Sequence, residues 1–283
     1  MNLLWIVIIM TNSITQNALR ALLYEVATQP KPGLVDPVSS GPHPDMDIYT
    51  FIDSSLSLES YLKAAEMLGQ TFRQDNLTDM FFELRQKGLA AEQEMYAATN
   101  NVNTHKGAIF ALGIFVCAES YAQTQQAELF TTIRRMCAGL VEHDLNKNRD
   151  LQTAGAKTYQ KYGYGGARQE AQSGYPIVER VALPFLKEQT GPIQARILDT
   201  LMKIASVAID SNLIKRAGGD ISAVTWIQEQ AKKYLALGGY QTVQGKEFLL
   251  AFNQEMTDKN YSLGGCADLL IVTIFVALER NYL

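Results

Sequence analysis

The chain has little of what several common protein classes need. It has only three cysteines in 283 residues, an odd number, and none of their spacings fits a zinc site. We therefore expect reduced thiols and a cytoplasmic protein. The apolar run at the start of the sequence is shorter than the roughly 20 residues needed to cross a bilayer. Because the net charge is -4, the basic surface of a nucleic-acid binder is not indicated either. We expect neither a membrane nor a nucleic acid as partner.

Strand-like alternation of apolar and polar residues is almost absent, whereas helical spacing dominates. Apolar residues recur every three or four positions in eleven segments, of which ALRALLYEVA and LDTLMKIASVAI are clear examples. We expect an all-α fold, a single multi-helix domain over residues 11–283 with its functional loops at helix termini. The segments are 15–28, 53–74, 76–98, 106–123, 127–142, 149–161, 175–188, 192–210, 219–237, 242–254 and 265–280.

The first ten residues, MNLLWIVIIM, form an apolar stretch that is too short to span a membrane and lacks the basic start of a signal peptide. The sequence after Met10 opens like an ordinary helix, with Ser13 or Thr15 as its cap. We expect Met10 to be the natural start. The alternative is that residues 1–10 form a short apolar arm on the body.

A stiff, proline-rich loop over residues 29–47 is the first candidate for a site. Three carboxylates, a histidine and a lysine on one such loop suit Mg²⁺ together with phosphate. The alternative is a surface loop in which Asp45 or, in preference, Asp47 only caps the helix that follows. The candidates here are Lys31, Asp36, His43, Asp45 and Asp47.

Asn103, Thr104, His105, Lys106 and Gly107 lead directly into the apolar helix AIFALGIFVCA. A helix start offers free N–H groups and a positive dipole end, so it can hold a phosphate, and Lys106 adds charge there. The alternative is a normal helix capped by Thr104 with an exposed lysine. No strand precedes the segment and the Gly–Lys order is reversed, so a P-loop is excluded.

Three further segments combine glycines with charged or hydroxyl side chains. Glycines allow close approach of a ligand to the backbone, and arginine has the forked geometry that suits phosphate. Each segment is also explained by ordinary turns and by caps such as Asp268 in a first helical turn. The candidates are Arg168 and Glu170 in YGYGGARQE, Ser262, Gly264, Gly265 and Asp268 in SLGGCAD, and Asp210 and Arg216 in DSNLIKRAGG.

Taken together, these blocks resemble one known family, the triphosphoribosyl-dephospho-CoA synthases, which make the precursor of the prosthetic group of citrate lyase and malonate decarboxylase. The resemblance spans about residues 20 to 275 in the family's order and also includes EVATQPKPGLVDPVSSGPHPDMDIYTF and VNTHKGAIFALG. It differs from the family pattern at Leu263 for Pro, Cys266 for Ser and Ser211 for Thr. A cysteine donates hydrogen bonds more weakly than a serine, so a side-chain phosphate contact at Cys266 is in doubt, whereas backbone donors would survive.

The resemblance implies that ATP is a substrate and that its triphosphoribosyl group passes to the 2′-hydroxyl of 3′-dephospho-CoA while adenine leaves. It implies Mg²⁺ on the triphosphate, and a later enzyme that transfers the product to an acyl carrier protein. Catalytic candidates are Asp36, His43, Glu170 and Asp210; binding candidates are Lys31, Asn103, His105, Lys106, Gly107, Arg168, Arg216, Ser262, Gly264 and Gly265; metal candidates are Asp45, Asp47 and Asp268.

Two other functions fit the same residues. A helical Mg²⁺-dependent hydrolase of a nucleotide or N-glycosidic bond would use the same acids with water as acceptor. A non-catalytic nucleotide sensor would bind ATP without releasing adenine. The sequence does not rank the acids, and any of Asp36, Asp45, Asp47, Asp210 and Asp268 serves equally as metal ligand or base, with His43 and His105 as alternative bases or phosphate donors.

Overall fold

A computed structural model describes residues 13–146 and 154–283, so the expectations for residues 1–10 lie outside the described residues. Within these two ranges the regular elements are all helical, which confirms the predicted fold class. The α-helices are α1 (Ile14–Ala27), α2 (Ile48–Ser57), α3 (Glu59–Thr71), α4 (Leu77–Ala98), α5 (Lys106–Gln125), α6 (Leu129–Met136), α7 (Ala154–Tyr162), α8 (Gly166–Gln172), α9 (Leu183–Glu188), α10 (Ile193–Ala205), α11 (Ser211–Arg216), α12 (Ser222–Ala236), α13 (Val243–Asp258) and α14 (Gly264–Glu279). Two π-helical turns, Glu142–Asn146 and Val178–Ala182, and a 3₁₀ turn, Gly239–Gln241, join them.

Helix α5 is the centre of the core. It is apolar on all sides, and α1, α3, α4, α6 and α14 pack around it. By length and composition α5 would be able to cross a membrane, but 72% of its most apolar window is buried inside the molecule. A helix without a polar face has to be enclosed by other helices, so this pattern places α5 in the middle of the fold.

Helix starts are capped as the sequence indicates in two places. Ser13 caps α1, and Asp47 caps α2; each forms a capping box with the residue three positions later. Thr104, however, does not cap α5. The cap position is His105, which makes no side-chain capping bond.

The predicted helix over 53–74 is in fact two helices, α2 and α3, that meet at Leu58. The hydroxyl groups of Ser55 and Ser57 donate to the carbonyls of Phe51 and Ser54 near this junction. Such side-chain bonds compete with the helical ladder, and apolar periodicity does not reveal them. The short helices α8 and α11 were likewise missed, because six or seven residues show too little periodicity.

Candidate active site

One cavity of about 910 Å³ opens where the loop 29–47 meets the starts of α5 and α14 and the short helix α11. Its volume is near the upper end for small-molecule sites. The loop is held there because the N–H of Gly33 donates to Asn253, 3.2 Å away, on α13. The predicted site residues that line this cavity are Lys31, His43, Asp45, Asn103, His105, Lys106, Gly107, Arg216, Ser262, Gly264 and Asp268.

Positive charge is concentrated at the rim of the cavity. Lys106 and Lys215 are exposed, and Arg216 is partly exposed. Lys106 pairs with Glu92 at 2.6 Å, but its side chain remains 48% exposed. Arg216 donates to the backbone oxygen of Pro42 and to the side chain of Asn260. Three cations that face one opening form a site for a polyanion.

His43 connects the arginine of the rim to Ser262. Arg216 donates to Nδ1 of His43 at 3.0 Å, and Nε2 of His43 lies 3.1 Å from the hydroxyl of Ser262. A guanidinium can only donate, so Nδ1 accepts and the proton lies on Nε2. Burial and then the charge of Arg216 lower the pKa of His43, so the ring is neutral. This arrangement favours a role in holding Arg216 and Ser262 over a role as base.

The floor of the cavity is buried and contains an ion pair. Lys31 and Glu25 are 2.5 Å apart, with side chains only 1% and 3% exposed. Desolvation lowers the pKa of Lys31, and Glu25 opposes that shift. Glu25 was not among the predicted residues. Glu25 lies on the apolar face of α1, one turn after Ala21 and Leu22. Because an unpaired glutamate is very rarely buried, this position in the sequence indicates a buried glutamate with a partner.

Two cavity-lining carboxylates, Asp268 and Asp45, have no hydrogen bond or ion pair within the described part of the chain, and Asp268 is the less exposed of the two. Burial raises the pKa of Asp268 well above its ordinary range, and the neighbouring charges of Asp210 and Glu25 add to the shift. The carboxylate lies against Gly107 at the start of α5, where a Cβ atom would be 1.9 Å from Oδ2. A partly desolvated carboxylate without a partner is suited to accept a proton or a cation.

His105 forms the adjoining part of the floor. Its Nδ1 lies 2.6 Å from the hydroxyl of Ser54, which in turn accepts from Thr104 at 2.6 Å. Its Nε2 is buried and has no partner among the described residues. Burial and then the charge of Lys31 lower the pKa of His105 to about 3, so the ring is neutral.

Asp36 and Asp210 lie behind the cavity wall, and their oxygens are already used. Asp36 accepts the N–H groups of Lys31, Val38 and Ser39 and so shapes the loop 29–47. Asp210 caps α11 and also accepts the N–H of Cys266 at 3.1 Å. Neither acid is therefore among the residues that line the cavity, and both organise the backbone next to it. The backbone N–H of Cys266, which the sequence offers as a phosphate donor, donates to Asp210 instead, and Gly265 packs on the same carboxylate.

The structure does not bring Arg168, Glu170 or Asp47 to the cavity. Arg168 donates to Asp144 at 2.7 Å, and Arg85 holds the same carboxylate through two bonds. Burial would raise the pKa of Asp144, but these hydrogen bonds and one from His143 outweigh it and lower the pKa to about 2.

Glu170 accepts the N–H of Ile177 at 3.0 Å, and burial raises its pKa. Asp47 caps α2 at the surface. Besides Glu25, four polar or charged cavity residues were not among the predicted site residues: Thr104, Asn212, Lys215 and Asn260.

Comparison with known proteins gives one consistent family. Residues 11–283 match the family described as ATP:dephospho-CoA triphosphoribosyl transferase. A protein of Lactiplantibacillus plantarum named "Probable 2-(5''-triphosphoribosyl)-3'-dephosphocoenzyme-A synthase" is 49% identical over 278 residues, which cover 96% of this chain and 99% of that protein. A protein of the same printed name from Citrobacter koseri is 40% identical, with 92% of this chain and 88% of that protein covered.

"Protein CitXG" of Leuconostoc mesenteroides subsp. cremoris is 47% identical over 95% of this chain, but the match spans 59% of that longer protein. No solved structure matches. The family match and the full-length relatives agree with the resemblance found in the sequence. The chain therefore belongs to the ATP:dephospho-CoA triphosphoribosyl transferase family, and it is a transferase that takes ATP and dephospho-CoA as substrates.

Proposed function

We propose that the cavity binds ATP with its triphosphate at the rim and its adenine towards the floor, and that the transfer takes place between them. The observation that carries this proposal is the separation of charge across the cavity. The cations Lys106, Lys215 and Arg216 lie at the exposed rim. The floor instead holds the Lys31–Glu25 ion pair, the neutral ring of His105 and the carboxylate of Asp268. A triphosphate is favoured beside the exposed cations and is repelled by the unpaired carboxylate of Asp268.

A magnesium ion fits this site as a partner of the phosphates. Within residues 13–146 and 154–283 no three His, Cys, Asp or Glu side chains come together to hold a metal. Mg²⁺ prefers one or two carboxylates together with substrate phosphate oxygens. Asp45, exposed at the rim near Arg216, is the carboxylate that would hold it there. When bound, the ion would neutralise phosphate charge.

Asp268 is the base in this proposal. It lines the cavity without a partner, so it is free to accept the proton of the 2′-hydroxyl of dephospho-CoA as that oxygen attacks the anomeric carbon of ATP. Positive charge develops on the ribose in such a transfer. The carboxylates of Asp268 and Glu25 would stabilise that charge, and Lys31 holds Glu25 in place through their ion pair.

The product, triphosphoribosyl-dephospho-CoA, would then pass to an enzyme that attaches it to the acyl carrier protein of citrate lyase or malonate decarboxylase. We place this sequence of reactions in the cytoplasm.

The proposal is tested by measuring adenine release from ATP by chromatography, in reactions with and without dephospho-CoA and with and without Mg²⁺. We expect release that requires both, and a product with the mass of the transferred group on dephospho-CoA. Asp268→Asn should lower kcat by about 10²- to 10⁴-fold, the usual contribution of a general base. The control is Asp258→Asn, at the exposed last residue of α13, which should change nothing. Adenine release that ignores dephospho-CoA would indicate a hydrolase and overturn the proposal.

A further inference from the structure

The imidazole of His105 has a feature that triphosphate binding and base catalysis leave unused. Its side chain is part of the cavity floor and only 2% of the residue is exposed, yet Nε2 has no hydrogen-bond partner among the described residues. Buried polar groups almost always have a partner, because an unpaired one loses its hydration without compensation. An unpaired nitrogen beside a ligand cavity points to a contact that the ligand completes.

The hydrogen bonds on the other side of the ring fix which nitrogen carries the proton. Thr104 donates to the hydroxyl oxygen of Ser54, so the Ser54 hydroxyl is left to donate to Nδ1 of His105. Because Nδ1 accepts, the neutral ring carries its proton on Nε2. Thr104 itself lines the cavity, so the chain of three side chains runs from the cavity back to the floor.

We propose that Nε2–H of His105 donates to a ring nitrogen of the departing adenine, with Ser54 and Thr104 as the relay that restores its proton. The inference rests on the proposed function, because it places adenine at the floor. Three observations favour adenine over phosphate as the acceptor. The donor is neutral, the cation that acts on it, Lys31, is already paired with Glu25, and apolar Leu34 and Phe51 line the same cavity. A flat, uncharged purine suits these surroundings, and a phosphate does not.

Nε2 is covered in the structure, so adenine has to displace side chains at the wall. Phe51 packs edge-on against His105, with ring centroids 5.0 Å apart, and is itself a cavity residue. A rotation of Phe51 would let a purine take its place against the imidazole. The aromatic contact that Phe51 makes now is of the kind that a purine edge makes equally well.

The protons balance across the transfer. The bond from C1′ to N9 breaks and its electron pair stays on adenine, while a bond forms between C1′ and the 2′-oxygen of dephospho-CoA. Nε2 of His105 gives its proton to adenine, and Nδ1 takes the proton of Ser54, which takes that of Thr104. Thr104 is reprotonated from solvent. The proton of the 2′-hydroxyl goes to Asp268 and then to solvent, so no net proton is consumed.

Two substrates that differ only in their leaving group test the proposal. Adenine leaves ATP readily only when it is protonated, whereas a 4-nitrophenyl riboside 5′-triphosphate releases a stable phenolate without protonation. His105→Ala should lower kcat with ATP by about 10²- to 10⁴-fold and with the nitrophenyl substrate by less than about 5-fold. The control is His143→Ala, an exposed histidine at the surface, which should leave both rates unchanged.

A second variant keeps the imidazole in place. Thr104→Val removes the relay hydroxyl at nearly constant volume, and it should slow ATP but not the nitrophenyl substrate. Thermal unfolding of each variant separates loss of fold from loss of chemistry, and the nitrophenyl rate serves as an internal measure of correctly folded enzyme.

Equal loss with both substrates in both variants would overturn the assignment of His105 to the leaving group. If the wild-type enzyme with dephospho-CoA released no adenine at all, the proposed function itself would fail. The two failures are therefore distinguishable.

Discussion

The contact between Gly107 and Asp268 allows a test in which the carboxylate of Asp268, the proposed base, is displaced but kept in the chain. A Cβ atom built on Gly107 would lie 1.9 Å from Oδ2, 2.6 Å from Cγ and 2.9 Å from Oδ1 of Asp268. An ordinary contact begins at 3.4 Å, so the carboxylate of Asp268 has to retreat by about 1.5 Å in the Gly107→Ala variant. Misplacing a catalytic group by about 1 Å can cost on the order of 10²-fold in rate. We expect a fall in kcat of about that size.

Steady-state adenine release gives kcat and KM, and urea denaturation gives the free energy of unfolding. Gly88→Ala on α4 is the matched control, because a Cβ there meets nothing closer than 3.4 Å. That control should keep full activity and gain up to about 1 kcal/mol in stability, since alanine is favoured over glycine inside a helix. If Gly107→Ala kept wild-type kcat while folding normally, Asp268 would not be the base.

Four further predictions follow from charges and burial. Because burial raises the pKa of Asp268 above its unfolded value of 3.8, its charged form destabilises the native state at neutral pH but not below about pH 4. Asp268→Asn should therefore unfold at equal or higher urea concentration at pH 7 despite its loss of activity, and a lower midpoint there would contradict the assigned environment. Arg216→Ala should raise KM for ATP by about 10- to 100-fold, the usual worth of hydrogen bonds to a charged group, and an unchanged KM would remove Arg216 from phosphate binding. Asp144→Asn should lower the free energy of unfolding by about 1–3 kcal/mol at pH 7, because Arg85 and Arg168 lose their shared carboxylate. Since the pKa of Asp144 is lowered to about 2, the difference between variant and wild type should vanish as the pH falls from about 4 towards 2. Urea denaturation over this pH range measures the difference. Adenine at the floor lies beneath the ribose, so it should leave last and inhibit competitively against ATP; noncompetitive inhibition would contradict the proposed orientation.

The sequence was informative about helices and about loops at their starts. Apolar periodicity predicted most of the helices, and glycine, proline and charged residues marked three loops that do meet at the cavity. The fourth, around Arg168, lies elsewhere and makes an ion pair with Asp144. Local sequence shows that a loop can bind, but not which helix ends are neighbours, because packing decides that. Glu25 was missed for a related reason. It lies inside a helix, and its role depends on Lys31, which the fold brings to it.

The positions of the carboxylates also decide which positive groups are left for the triphosphate. The start of α14 was predicted to bind phosphate through its N–H groups, but Asp210 accepts the N–H of Cys266 there. The start of α5 has Asp268 against Gly107, which repels an anion. Neither helix start is therefore free for phosphate in the way that its sequence suggests. In the proposed orientation, the attraction of the site for ATP comes mainly from the side chains of Lys106, Lys215 and Arg216 at the rim, where salt also screens their charge. The carboxylate at each helix start would then keep the phosphates away from the floor, which would be left for the adenine and the ribose.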